Sequence, residues 1–417
     1  MKNLLLIAAI CSCAVAHAAV TVTDVSARQR WPWNGLIDVD FKIGGDTVAD
    51  LFKVEVRAAY AGGTKKVIGC TYLEEPLRGP GWNRLTWDFG ADCPETKADD
   101  LQIAVVATPL SRAQTDSQNV YMVIDLSSGP NSARYPVRYT TTAPTLVPTN
   151  DLVACAADPN RTTKLWLKRV KENTYPFHAT ATGTPWFNVH LSPYYIGIFE
   201  LTQKQWNLVM GNWPSKFTNE TYRAARPVEM INYEDVIGHN NWPNNKTVSD
   251  SSFVGKMRAR TGLATLNLPT EAQWECACRS GNTTSYISMK FRYAKTVAKP
   301  EKDLDYNEDP TSGTAIVGSY DANYWKLYDF YGNVMEMCLD AFMADNSLKT
   351  YYGDANPVND PIGPPTNSTA RYHATRGGSW YNTDYCNNYS RNYGNQTITG
   401  TRSKAIGMRV AVSPDWE

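Results

Sequence analysis

Apolar and polar residues alternate along short segments between about residues 20 and 140. In the clearest segment, Ile37, Val39 and Phe41 are separated by charged residues. A period of two is typical of a β-strand that has one face against a core and the other in water. About six or seven such segments follow one another, with turn residues between them and no helical period. The pattern predicts an antiparallel β-sandwich of immunoglobulin or fibronectin type over residues 19–139.

The composition changes after this region. Residues 140–149 are rich in Thr and Pro, as is common in linkers, and we assign 140–157 to a connecting segment. Residues 158–417 are rich in Trp, Tyr, Asn and Gly and show little regular periodicity. We expect a second domain here, so that the whole chain is of mixed α+β class, and we expect long irregular loops between its short elements.

Two short helices are well marked within the second domain. Each begins with a capping box, in which a threonine precedes a glutamine by three residues. The first box pairs Thr202 with Gln205 and is followed by Gly211, a residue type that often ends helices. The second box pairs Thr270 with Gln273.

The first residues, 1–18, have the pattern of a secretory signal peptide. Lys2 supplies the positive start, residues 4–15 supply an apolar core, and a small-x-small sequence ends at Ala18. The core is too short for a transmembrane helix, and no later stretch is long enough to be one. Lipid attachment at Cys11 or Cys13 is an alternative that their neighbours fit poorly. We therefore expect a protein that is secreted, periplasmic or on the cell surface after cleavage near Ala18.

The charge of the chain excludes two classes of partner. The sequence has 41 Lys and Arg residues against 41 Asp and Glu residues. Nucleic-acid binding calls for a basic face, and an anionic membrane surface attracts basic segments. We therefore expect neither nucleic acid nor a membrane surface as a partner.

Seven cysteines follow the predicted signal peptide. In an oxidising compartment most of them should form disulfides, and an odd number leaves at least one thiol over. Cys70 and Cys93 are the natural pair in the N-terminal region. Cys386 could pair with Cys278 or with Cys338, and the sequence does not choose between them.

Six segments of the second domain, in order, resemble the family of formylglycine-generating, sulfatase-modifying factors. The most specific are LPTEAQWE at 268–275, LYDFYGNVME at 327–336 and RGGSW at 376–380. The other three lie at 195–203, 226–229 and 407–409. The resemblance covers roughly residues 160–413 and implies a C-type-lectin-like fold with little regular secondary structure.

The resemblance also implies a calcium site in the 327–336 segment. Carried over residue by residue, Asp329 and Glu336 are the side-chain ligands, and Gly332 and Val334 contribute backbone carbonyls. Carboxylates and carbonyls from one irregular loop are the ligands that this hard cation prefers. The alternative is that Glu336 caps a turn or pairs with an arginine.

The copper chemistry of the family has less support. Members that oxidise a cysteine hold copper(I) on two cysteines soon after the RGGS segment, and the matching positions here are Asn382 and Asn387. Cys386 is one residue from the second position, and side-chain amides are poor ligands for a soft ion. Ser379 matches the active-site serine of the family, and its alternative role is a hydrogen bond within the turn.

Two functions follow from these residues. The first is a calcium-stabilised binding module for a glycan or a peptide, which lacks the copper cysteine pair. The alternative is an active formylglycine-generating oxidase that acts on a sulfatase cysteine, with Ser379 and Cys386 as catalytic residues. The enzyme assignment therefore stays open at this point.

Overall fold

The computed structural model describes most of the chain after the predicted signal peptide, which lies outside the described residues. The described ranges are 20–30, 34–44, 51–62, 64–94, 101–148, 150–178, 187–238, 242–243, 245–282, 313–353, 356–364, 372–381, 385–393 and 402–413. Within them, none of the helices has the length and apolar character needed to cross a bilayer.

The chain divides into two compact units. The first comprises residues up to 124 together with 133–143 and 259–264. Its strands are β1 (Thr21–Gln29), β2 (Leu36–Gly44), β3 (Phe52–Gly62), β4 (Thr64–Gly69), β5 (Leu77–Arg78), β6 (Gly81–Asp88), β7 (Gln102–Pro109), β8 (Tyr121–Asp125) and β9 (Val137–Thr140). Its helices are α1 (Phe89–Asp92) and α2 (Arg112–Asp116).

The strands of the first unit lie in two sheets. One follows the order β1-β2-β6-β9-β8, antiparallel except for the parallel pair β6 and β9. In the other, β3 pairs antiparallel with β4, β5 and β7. The sequence correctly predicts strands at these places. The assignment to an immunoglobulin or fibronectin type stays a prediction.

The inward-facing residues of the two sheets share one hydrophobic cluster. Val39 of β2, Val54 of β3, Leu85 and Trp87 of β6 and Val105 of β7 belong to it. All five are almost completely buried. The alternation in the sequence therefore reflects the burial of alternate side chains between two sheets.

The second unit comprises residues 125–132, 144–258 and 265–417. Its helices are α3 (Leu152–Ala157), α4 (Pro159–Thr162), α5 (Gln203–Met210), α6 (Tyr233–Val236), α7 (Phe253–Thr261, whose last residues fall in the first unit), α8 (Glu271–Cys278) and α9 (Asp345–Tyr352). Its strands are β10 (Lys164–Val170), β11 (Asn173–Phe177), β12 (Phe187–Leu191), β13 (Tyr194–Gly197), β14 (Leu266–Asn267), β15 (Met335–Ala341), β16 (Val358–Asn359), β17 (His373–Arg376), β18 (Arg391–Asn392), β19 (Ile406–Gly407) and β20 (Ala411–Val412). The segment 140–157, expected to be a linker, thus ends in a helix.

The short strands of the second unit form three groups of hydrogen-bonded neighbours. Their orders are β10-β13-β20-β14, β11-β12-β16 and β18-β17-β15-β19. Every residue of β15 is buried, so this strand runs through the interior of the unit. A mostly β architecture with short helices and long loops is consistent with the C-type-lectin-like fold that the resemblance implies.

Both capping boxes occur as the sequence predicts. The Thr202 side chain accepts a hydrogen bond from the Gln205 backbone and the Gln205 side chain accepts one from the Thr202 backbone, which starts α5. This helix ends at Gly211, whose φ of 83° is left-handed. Thr270 and Gln273 form the same reciprocal pair at the start of α8. In the folded domain α8 lies beside β15 and β17, where the candidate site is located.

Candidate functional site

The loop 329–336 leads into β15 with an unusual backbone. Asp329, Gly332 and Asn333 all have positive φ, of 62°, 102° and 57°. The buried carboxylate of Glu200 holds the loop, because it accepts hydrogen bonds from Asn333 Nδ2 at 2.6 Å and from the Val334 backbone N–H at 3.0 Å. This conformation is therefore fixed by a side chain from a distant part of the sequence.

Glu336, at the end of this loop, is bound by an arginine. Its Oε2 atom lies 2.6 Å from Arg409 Nε, and its Oε1 atom accepts from Arg409 Nη2. The indole N–H of Trp274 donates to Oε2 at 2.8 Å. All three side chains are buried, and both oxygens of Glu336 have protein donors.

Three buried carboxyls lie around Arg409. Burial, together with the neighbouring carboxylates of Asp329 and Glu336, raises the pKa of Glu200 well above its ordinary value. Burial raises the pKa of Asp329 to about 6. The Oδ2 atom of Asp329 accepts from the Gly318 backbone N–H at 2.6 Å, whereas its buried Oδ1 atom has no hydrogen-bond partner among the described residues.

The four calcium ligands expected from the resemblance do not fit a calcium site as they are placed. Glu336 is engaged by Arg409 and Trp274, and calcium takes six to eight oxygen ligands. In the described ranges no three His, Cys, Asp or Glu side chains converge as a metal site would require. The ligand set Asp329, Gly332, Val334 and Glu336 stays a prediction of the resemblance, and the pairing of Glu336 with an arginine is the arrangement present.

The two candidate catalytic residues lie together after β17. The chain turns through Gly377 and Gly378, whose φ angles are 92° and 68°. Ser379 is fully buried, and its Oγ atom accepts from the Tyr381 backbone N–H at 3.3 Å. The Cys386 Sγ atom lies 3.9 Å from the Ser379 carbonyl oxygen. The turn hydrogen bond is the alternative role considered for this serine.

The residues at the copper positions do not fit copper(I). Asn382 lies outside the described residues. Asn387 is used by its own turn: Oδ1 accepts from the backbone N–H groups of Tyr389 and Ser390, and Nδ2 donates to Ser390 Oγ. Cys386, half-buried, is thus flanked by an amide that is already bonded.

Three other cysteines of the second unit behave as core residues. Cys276 and Cys278 lie within α8, and Cys338 lies within β15. Burial raises the pKa of Cys276 to about 11, that of Cys278 to about 12 and that of Cys338 well above its ordinary value. All three side chains are completely buried in the packed interior. All described cysteines are unbonded in this structure.

A second buried ion-pair network positions the segment that carries Cys386. Glu271 on α8 accepts from Arg391 Nε at 2.6 Å and from its Nη2 atom at 2.8 Å. Arg376 donates to Glu275 at 2.6 Å and to the Asn388 carbonyl at 3.0 Å. Because buried charges must be paired, these bonds fix 388–391 against α8.

Sequence reasoning gave no role to the charged residues that build these networks. Glu200, Glu271, Arg376 and Arg409 all belong to segments that carry the family resemblance, so their presence was noted. Apart from the alternative that Glu336 pairs with an arginine, the sequence gave these residues no partners. The signal that could have found it is the placement of single charged residues inside apolar motifs, which requires a partner in the fold.

An aromatic surface lies next to Ser379. The Trp380 ring is buried and packs edge-on against Phe217 at 5.5 Å, and its indole N–H donates to the Lys404 carbonyl. Tyr381 follows, with 66% of its area exposed. Lys404 Nζ lies 5.2 Å from the Trp380 ring centroid and 5.9 Å from that of Tyr381. This surface offers an exposed ring beside a cation.

The family model of the sulfatase-modifying factor enzyme 1-like domain matches residues 165–414, more than half of the chain. The chain belongs to this family. The sulfatase-modifying-factor domain accounts for most of the second unit, and the match agrees with the family named from the six sequence segments. The expected family assignment is confirmed.

Individual relatives carry different names. The chain is similar to chaperone protein LppX of Paenibacillus barcinonensis, at 31% identity over 45% of this chain and 75% of that protein. It is also similar to the formylglycine-generating enzyme of Thermomonospora curvata, at 28% identity over 58% of this chain and 72% of that enzyme. Within one family, therefore, matched relatives include both a chaperone and an enzyme by name.

Two solved structures are similar to part of this chain. Treponema denticola variable protein 1 has a TM-score of 0.42 at 25% identity and covers 60% of this chain and 96% of its own. PvdO from Pseudomonas aeruginosa has a TM-score of 0.43 at 18% identity and covers 60% of this chain and 95% of its own.

Proposed function

We propose that the sulfatase-modifying-factor domain of this chain binds a glycan or a peptide and has lost the copper chemistry of the formylglycine-generating enzymes. The observation that carries the proposal is the pair of residues after the Ser379 turn. One half-buried thiol, Cys386, is followed by Asn387, whose amide is bonded within its own turn. A copper(I) site with two thiolates has no second ligand there among the described residues.

The aromatic surface supports the binding role. Tyr381 is mostly exposed, whereas the neighbouring Trp380 is buried. The Trp380 ring packs against Phe217, and its indole N–H donates to the Lys404 carbonyl. An exposed tyrosine on a fixed support loses little side-chain freedom when a ligand covers it. Sugar rings and aromatic or proline side chains are the groups that such a ring accepts. Lys404 would favour a ligand that carries a negative charge.

Ligand binding can be tested on this surface with a matched control. The purified mature protein would be screened on glycan and peptide arrays, and a hit would then be titrated against Tyr381→Ala and Tyr324→Ala. We expect Tyr381→Ala to weaken binding about tenfold, from the roughly 1.5 kcal/mol that an aromatic contact contributes. Tyr324 is 76% exposed and lies in another loop, so its removal should leave the affinity unchanged. Equal effects of the two substitutions would contradict the assignment of this surface.

The alternative function is an active oxidase that converts a sulfatase cysteine to formylglycine. The position of Cys386 at 3.9 Å from the Ser379 carbonyl favours it, since a thiol lies beside the matched serine. The decisive assay incubates the protein with copper(I), oxygen, a reductant and a peptide with the sequence Cys-x-Pro-x-Arg. Mass spectrometry then detects conversion of thiol to aldehyde. Conversion would establish the oxidase and make a sulfatase the partner, whereas its absence beside an active family member supports the binding module.

We propose further that the protein is exported and works in the periplasm, on the cell surface or in the medium. The signal pattern at residues 1–18 is the reason. N-terminal sequencing of the protein recovered from a cell envelope and a culture medium would test this. A mature chain that still begins at Met1 inside the cell would contradict it.

A further inference from the structure

We propose that the guanidinium of Arg409 takes the place of a divalent cation at the 329–336 loop, so that this domain keeps its fold without calcium. The inference concerns the stability of the domain. It does not depend on which ligand the domain binds.

Arg409 joins three separate parts of the chain. Its Nη1 atom donates to the Gly197 carbonyl at 2.9 Å, its Nη2 atom donates to the Tyr328 carbonyl at 2.9 Å, and its Nε atom donates to Glu336 at 2.6 Å. These acceptors, two carbonyls and a carboxylate, are the kind of oxygen that a calcium ion gathers. A guanidinium has five donors in a fixed plane and can satisfy the same group of oxygens.

Tyr328 and Glu336 flank the loop on its two sides. Arg409 therefore closes the loop by bonding the residue before it and its last residue, which is the structural task of a bound ion. The ring of Phe330, within the loop, lies 3.7 Å from the guanidinium carbon. A cation over an aromatic face at this distance adds a further attraction.

Donors from Arg409 and Trp274 already bind both carboxylate oxygens of Glu336. The indole N–H of Trp274 points at Oε2 from 2.8 Å, and a donor hydrogen opposes a metal ion at the same oxygen. A cation at Glu336 would also lie next to the positive charge of Arg409 inside a buried region, where charge repulsion is strong. A metal would thus have to displace Arg409.

The rest of the loop is held by protein groups as well. Glu200 binds the amide of Asn333 and the backbone N–H of Val334. The Gly332 backbone N–H donates to the Gly377 carbonyl, and the Trp380 backbone N–H donates to the Asn333 carbonyl. An irregular loop needs partners for its polar backbone, and here other parts of the chain provide them for the N–H groups of Gly332 and Val334 and for the Asn333 carbonyl.

The first test measures the melting temperature of the wild-type protein after removal of divalent ions with excess EDTA, and again with excess calcium chloride. We expect the two values to agree within about 1 °C, since a ligand that binds only the folded state would raise the melting temperature. A lower melting temperature in EDTA, restored by calcium, would overturn the proposal.

The second test removes the guanidinium. Arg409→Met should lower the melting temperature by at least about 5 °C, because it leaves Glu336 buried without its partner. Calcium chloride should then raise the melting temperature of this variant, since the vacated oxygens become available. Arg402→Met is the matched control, because Arg402 forms a half-exposed ion pair with Asp235, and we expect little change.

Two results of the second test would count against the proposal. If Arg409→Met melts like the wild type, Arg409 does not hold the loop. If it melts lower and does not respond to calcium, Arg409 is an ordinary ion pair and no substitute for a cation. If Arg409→Met does not fold, Arg409→Lys keeps the charge and loses the planar donors. It should fold with a lowered melting temperature that calcium does not raise, because the ammonium group still opposes a cation at Glu336. A wild-type melting temperature of Arg409→Lys, or a rise on addition of calcium, would contradict the proposal.

Discussion

The close approach of Cys386 to the glycine turn before Ser379 can be tested by adding one methyl group. At Gly378, a Cβ atom would lie 2.6 Å from both the backbone N and the Sγ atom of Cys386, far inside normal contact distance. The residue also has a φ of 68°, which disfavours any L-amino acid other than glycine. Gly378→Ala should therefore destabilise the domain in two separable ways.

The expected magnitude follows from these two terms. A left-handed backbone costs an alanine about 1–2 kcal/mol. Forcing extra volume into a packed region costs about 1–3 kcal/mol more. The total of about 2–5 kcal/mol corresponds to a fall of roughly 5–15 °C in melting temperature for a domain of this size.

Gly129 provides the control for the backbone term. Its φ is 78°, and a Cβ atom there would meet nothing within 4 Å. Gly129→Ala should therefore cost about 1–2 kcal/mol, the backbone term alone. Denaturant unfolding followed by near-ultraviolet circular dichroism would measure both variants. If their free energies of unfolding agree within error, Cys386 does not lie against the turn and the geometry of this site is wrong.

Two further predictions concern a buried carboxyl and a pair of thiols. Burial raises the pKa of Glu229 to about 7, whereas the carboxyl of the unfolded chain releases its proton near 4.5. The folded state therefore holds a proton that the unfolded state has lost. The free energy of unfolding should fall by up to about 3 kcal/mol as the pH rises from about 4.5 to 7. Glu229→Gln should lack this fall, and identical pH profiles of its unfolding free energy and that of the wild type would refute the assignment. Cys70 and Cys93 flank Thr71 and Asp92, which are joined by two hydrogen bonds of 2.7 Å, and burial, together with the nearby Asp92 and Cys93 side chains, raises the pKa of Cys70. We expect them to form a disulfide in exported protein that adds about 3 kcal/mol to the free energy of unfolding, and detection of both as free thiols by peptide mapping would contradict this.

Features that depend on neighbours in the sequence were predictable. The capping boxes at Thr202 and Thr270 join residues three apart, and each helix starts where its box predicts. The alternation around Val39 and Val54 indicates which side of each strand is buried. Both residues lie in strands, and both side chains are buried. Such signals are local, so no knowledge of the fold is needed to read them.

The family was predictable for a related reason. Six ordered segments carry the resemblance, and the family model matches residues 165–414. The sequence also shows directly that Asn387 stands at the position matched to the second copper cysteine, with Cys386 one residue before it. Position along the chain is enough for such comparisons.

The partners of the charged residues were not predictable. Arg409 and Glu336 lie 73 residues apart, and Glu200 and Asn333 lie 133 apart. A carboxylate in a loop motif is an equally good ligand for calcium and for a guanidinium, and the choice depends on what the folded chain brings to it. The resemblance therefore suggested a metal at Glu336, where the structure places an arginine.

The sequence by itself determined the family, the strands of the first region, the starts of the two capped helices and the presence of Cys386 as the only cysteine among the residues that follow Ser379 in the chain. These properties depend only on residue types and on short spacings along the chain. The tertiary structure alone decided that Arg409 closes the 329–336 loop and that Cys386 lies against the turn at Gly378. The physical reason is that burial forces every charge and polar group to find a partner, and the partner that is available is set by the packing of the whole domain.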